Sequence, residues 1–118
     1  MANTRVVHVN DNVPGAIYIG RAVPRRGIKT SKWANPFRIS ADMTRYEAIE
    51  CYDAEITAGS RAGLLADLPE LRGKALACWC RHDGEERTVA NACHGDVLVE
   101  ILETYTDDEL QELSTWRQ

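Results

Sequence analysis

The residues Ala75-Leu76-Ala77-Cys78-Trp79 run together without a charged side chain. A strand with one wet face alternates apolar and polar residues, so a run without alternation reads as a strand buried on both faces. Such a strand needs partners at its edges and cover above and below. Two apolar stretches can pair with it, Val6–Val9 and Ala16–Ile19. Turn chemistry at Asp11-Asn12-Val13-Pro14-Gly15 separates them, and Gly20 stops the second.

Cover comes from helices. Thr44 with Glu47, and Thr106 with Glu109, match the capping box that opens a helix. Ala48, Ile49, Tyr52 and Ile56 follow the first box at helical spacing up to Gly59, and Leu110, Leu113 and Trp116 follow the second. Ser60 is placed to cap a shorter helix over Arg61–Leu68, halted by Pro69 and followed by a turn at Leu71–Lys74. Val97, Leu98, Ile101, Leu102 and Tyr105 mark another helix, starting near Cys93 or His94. The order β-β-loop-α-α-β-loop-α-α predicts one α/β domain over residues 1–118, three-layered, with a short, mostly parallel sheet. At 118 residues it would bury roughly two-thirds of its unfolded surface.

Two long loops, 20–40 and 80–96, leave the carboxyl ends of predicted strands, where open α/β sheets place their ligands. The first holds Arg21, Arg25, Arg26, Lys29, Lys32 and Arg38 with no anion among them. Such a block attracts phosphate or nucleic acid, or is simply a solvated loop balanced by acidic helices. Residues 41–118 carry 17 acidic against seven basic residues, and the chain is net −4, which argues against duplex DNA as the main partner. No apolar run approaches the ~18 residues of a membrane span, and the first residues lack a signal-peptide pattern. A cytoplasmic chain without disulfides is the expectation.

Candidate chemistry sits in both loops. In the first, Gly20 would let a ligand approach the backbone. Arg21 and Lys32 would hold an anion, Ser31 and Asn35 would add hydrogen bonds, and Trp33 would stack on a base or sugar. Phe37 is the residue expected to pin the loop to the core. In the second, Cys93 at a helix start is a candidate thiol nucleophile or ligand contact, with His94 as base and Asp96 as acid, base or hydroxyl acceptor. Cys80 would lie beside them. Cys78, Cys80, Cys93 and His94 also form a complete zinc ligand set. Cys78 and Cys80 are separated by one residue, however, and an extended chain would hold them too far apart. No cofactor is therefore favoured, zinc is the alternative, and Cys78 and Cys51 read as small buried side chains.

Four motifs in order resemble one family: Tyr18-Ile19-Gly20-Arg21, Ser31-Lys32-Trp33-Ala34-Asn35-Pro36-Phe37, Leu71 to Cys80, and Cys93-His94-Gly95-Asp96. The family is DUF4326, a domain of unknown function of bacteria and bacteriophages. The resemblance implies a phage or bacterial member and no stated activity. Ala34 stands where the family commonly has glycine, and the link from Cys80 to Cys93 is longer and more polar than usual. By analogy the layout is Rossmann-like. The reading is a protein that binds, and hydrolyses or transfers, an anionic nucleotide or nucleoside-derived molecule between the Gly20–Phe37 and Cys80–Asp96 loops. The alternatives are a zinc-stabilised, non-catalytic module docking a host protein or nucleic acid, and a single-stranded nucleic-acid binder using Trp33.

Overall fold

The computed structural model describes residues 3–59 and 61–117, with side chains as far as Thr115. The expectations placed on the Ser60 cap and the Trp116 side chain fall outside that range. Strand β3 (Ala75–Cys78) is the centre of a three-stranded sheet, with β1 (Arg5–His8) on one side and β2 (Ile17–Tyr18) on the other. Both flanking strands run parallel to β3, and Val6 and Ile17 stand level with Leu76. Every β3 residue is buried, as the missing alternation requires. β2 and β3 are shorter than their apolar stretches, and β1 starts and ends one residue earlier than its own. Val9 enters a 3-10 turn (Val9–Asp11), and Ile19 keeps one sheet bond, its N–H donating to the Ala77 carbonyl at 3.0 Å.

Three helices follow: α1 (Arg45–Ala58), α2 (His94–Thr104) and α3 (Asp107–Arg117). Both capping boxes form. Thr44 and Glu47 exchange bonds of 2.9 and 3.1 Å, and Thr106 and Glu109 bonds of 2.9 and 3.2 Å. The expected helix over Arg61–Leu68 is instead a 3-10 segment, Ala62–Leu71, which continues through Pro69. The spacing explains the difference. Ala62, Leu65, Leu68 and Leu71 fall three apart and are all buried, and a turn of about three residues stacks them on one face.

The two sheet faces are covered differently. Val6, Leu76 and Cys78 share a cluster with Tyr52 and Ile56 of α1, Leu98 and Ile101 of α2, Leu110 of α3 and the 3-10 leucines. On the other face Val7, Ala75 and Ala77 meet Val9, Val13, Ala16 and Tyr18 from the β1–β2 region. This corrects the three-layer expectation, because one helical layer packs on one face and a connecting segment covers the other. Two alanines on that face leave little relief to fill, so a thin connector suffices. Among the described residues no helix is long and apolar enough to cross a membrane.

Helix α2 comes very close to the sheet at its start. A Cβ built on Gly95 would lie 2.7 Å from Ile19 Cδ1 and 3.0 Å from Val6 Cγ2. Gly95→Ala is expected to lower stability by about 1–3 kcal/mol in urea denaturation, because the core there is already full. Helix propensity alone would raise it by up to about 1 kcal/mol, so the sign of the change decides between the two effects.

Candidate metal centre

Strand β3 ends at Cys78 and the chain bends through Trp79 and Cys80. The bend brings the Cys80 N–H to within 3.4 Å of Cys78 Sγ, to which it donates. Cys93 is the N-cap of α2, and its sulfur accepts from the Gly95 N–H at 3.4 Å. The sulfurs of Cys78, Cys80 and Cys93 all lie within 4.8 Å of one another. Tetrahedral zinc with Zn–S of about 2.3 Å sets its sulfurs roughly 3.8 Å apart, so a small contraction onto an ion completes a three-thiolate site. The expectation that Cys78 and Cys80 stay too far apart is thereby corrected, since they do not remain extended. Cys51, half-buried on α1, is not part of the group.

The three thiols differ in acidity. Cys80 accepts hydrogen bonds from the thiols of Cys78 and Cys93, and Arg45 Nη1 lies 3.5 Å from its sulfur, so its thiol is held far below the usual range. The hydrogen bond to Cys80 pushes Cys78 up to about 11. Hydrogen bonds to Cys78 and Cys80, together with burial, push Cys93 up as well. Cys80 is thus the most acidic of the three. A cation that displaced the thiol protons would convert all three into ligands.

Beside the sulfurs a cavity of about 510 Å³ opens between the two long loops. Seven of the sequence-predicted residues meet there: Gly20, Arg21, Asn35, Cys78, Cys80, Cys93 and His94. Several are already engaged. Arg21 donates to the carbonyls of Asn35 at 2.9 Å and Phe37 at 3.0 Å. Asn35 donates to the Ala48 carbonyl and accepts from the Phe37 N–H, so it shapes the loop. The backbone at Gly20 closes over Tyr18, whose hydroxyl would stand 2.5 Å from an added Cβ, so the close approach is to a side chain rather than to a ligand. His94 donates from Nε2 to the Ile19 carbonyl at 2.8 Å, its ring meets Tyr52 edge-on, and burial lowers its pKa.

Four predicted residues lie elsewhere. Trp33 is 2% exposed in the core, with its carbonyl accepting from the Tyr52 hydroxyl at 2.8 Å. It cannot stack on a base, and it, rather than half-buried Phe37, pins the loop. Lys32 pairs with Asp67 at 3.2 Å and Glu70 at 3.0 Å on the outside. Ser31 Oγ accepts from the Trp33 N–H. Asp96 is buried, takes two bonds from Arg81 at 2.6 and 3.1 Å, and accepts from the Cys93 N–H at 3.0 Å. It therefore holds structure and does not line the cavity. Ala34 needs no glycine, since Asn12 is the one non-glycine residue with positive φ among those described. Sequence reasoning missed Arg45, Arg38 and Trp79 as cavity residues. Arg45 was hidden inside a capping box, where it reads only as a first-turn helix residue.

The model of the family described as a domain of unknown function, DUF4326, matches residues 3–104, which include the sheet, the three cysteines and the cavity. An uncharacterized protein of Acanthamoeba polyphaga mimivirus is 33% identical over 97 residues, covering 78% of this chain and 72% of its own. No solved structure matches.

Two outcomes are expected from this geometry. In the metal-free chain, Cys80 is the first thiol to react with iodoacetamide, and its rate stays high well below pH 7. Arg45→Ala moves that pH profile upward, because the cation that favours the thiolate is gone; peptide mapping of alkylated protein across pH checks both. Asp96→Ala leaves the Arg81 guanidinium buried without its partner and is expected to cost about 3–5 kcal/mol in urea denaturation.

Proposed function

We propose that this chain, which belongs to the DUF4326 family, is a metal-stabilised module in which Cys78, Cys80 and Cys93 hold one zinc ion. The observation that carries the reading is the gathering of three sulfurs from two separate elements within 4.8 Å. Three soft thiolate donors suit zinc over magnesium or calcium. Bound there, the ion would fasten the carboxyl end of β3 to the start of α2 and close the segment between them, which is exposed over 82–90. The module's outward-facing cations, Arg25 and Lys29 of the first loop, would then serve a host protein or nucleic acid. Reduced cysteines suit a cytoplasmic setting, and the mimivirus relative is in keeping with a viral or phage one.

A second reading, a nucleotide-derived anion in the cavity, draws support from Arg21, Arg38 and Arg45 in a wall with no carboxylate. It would place the ligand beyond the carboxyl ends of the strands, the Rossmann-like position.

Zinc content and melting temperature test the first reading. One equivalent per chain is expected by native mass spectrometry, with chelation lowering Tm by on the order of 10 °C. Cys78→Ser and Cys93→Ser should lose the ion, while Cys51→Ser keeps it. A chain refolded with zinc that remains metal-free would defeat the proposal.

A further inference from the structure

We infer that the metal site is open, and that its fourth ligand is a small organic anion admitted from the arginine-lined cavity. This rests on the metal reading above and deepens it.

Structural zinc sites close with four protein ligands, whereas sites that exchange a ligand leave one position free. Among the described residues the cluster supplies three. The nearest fourth donor is His94, whose Nδ1 lies 3.7 Å from Cys93 Sγ. Its ring is held by the Ile19 carbonyl on one side and the Tyr52 edge on another, and Nδ1 falls outside the group of sulfurs. Asp96, two residues further on, is fully engaged by Arg81 and the Cys93 N–H. Donation from Nε2 leaves Nδ1 as an acceptor, but among the described residues only the three sulfurs are gathered within 4.8 Å, so the fourth position is open as the site stands. All three cysteines line the cavity wall, so a donor arriving through the cavity meets the ion directly.

Charge decides which donor arrives. Three thiolates around a dication leave one net negative charge, which by itself would repel an anion. Arg45 lies against Cys80 Sγ at 3.5 Å and offsets that charge. Arg21 and Arg38 then face the same cavity, where burial first and Arg38 second lower the Arg21 pKa, and no carboxylate lines the wall. Two like charges held beside a cavity without a counter-ion are a poor arrangement until an anion joins them.

Shape narrows the class. A volume of about 510 Å³ lies within the roughly 300–1,000 Å³ of small-molecule sites. Phe37, Ile39, Ile49 and Trp79 give it an apolar side. The occupant that fits is an anion the size of a nucleoside monophosphate, with a phosphate or carboxylate oxygen toward the metal and a flat, weakly polar body against that side.

Cobalt(II) in place of zinc separates this proposal from the reading beneath it. Thiolate-to-cobalt charge transfer in the near ultraviolet reports the three sulfurs, and the visible d–d bands report the fourth ligand. With cobalt-loaded protein, adenosine monophosphate or inorganic phosphate should shift the d–d bands saturably and leave charge transfer in place, with perchlorate at equal ionic strength as the control. Arg38→Ala should weaken that response about tenfold without changing cobalt uptake. Bands that ignore both probes would overturn the proposal while sparing the metal site. So would bands that change on His94→Ala before any anion is added, because His94 would then be the fourth ligand. Failure to take up cobalt at all would overturn both.

Discussion

Arg81 and Asp96 meet at 2.6 Å with both side chains less than a tenth exposed. Desolvating two charges costs several kcal/mol each, so such a pair is sustained only when nearly every hydrogen-bonding position is used. Here Asp96 also caps the backbone of Cys93, and Arg81 also donates to the Asn91 carbonyl at 3.3 Å. The pair therefore sets where the chain leaves the sheet, where α2 begins, and where Cys93 Sγ stands relative to Cys78 and Cys80. The sulfur cluster depends on this ion pair, and so does the cavity wall beside it.

The charge split along the sequence is largely resolved by folding. Lys32 is taken up by Asp67 and Glu70, and Arg5 by Asp83 at 3.0 Å. Asp11 receives the backbone N–H groups of His8 and Asp83 and lies 2.6 Å from His82 Nδ1, tying the end of β1 to the start of the second loop. Arg26 lies over the Trp79 ring at 5.1 Å. What remains of the basic block is narrower than its composition suggests, and part of it faces the cavity rather than bulk solvent.

Elements governed by local rules were legible from sequence. The buried β3 run, the two capping boxes and the start of α2 each rest on spacing within a few residues, and each formed. The long loops did meet, because both leave carboxyl ends of a parallel sheet. What could not be read depended on partners distant in the chain. Trp33 looks like a stacking platform until Tyr52 is brought to its carbonyl. Asp96 looks like a helix-end charge until Arg81 arrives. The bend after Cys78 decides whether the sulfurs are apart or together, and no short-range signal at Trp79 announces it. The apolar residues at 62, 65, 68 and 71 carried a usable signal, a strict period of three, which an α-helical template passes over.

The segment from His82 to Ala90 is exposed throughout, yet both of its ends are anchored, one by Arg81 and Asp11 and the other by Cys93 and Asp96. From its middle Arg87 reaches back to α2, to Glu100 at 3.0 Å and Asp96 at 3.7 Å, while its neighbours stay in solvent. Closure entropy rises only logarithmically, so doubling such a stretch costs about 0.6 kcal/mol. Residues could be added or removed there, on either side of Arg87, without displacing the three sulfurs. That freedom lets the chain carry a long, polar link between Cys80 and Cys93 while their sulfurs stay within 4.8 Å of each other.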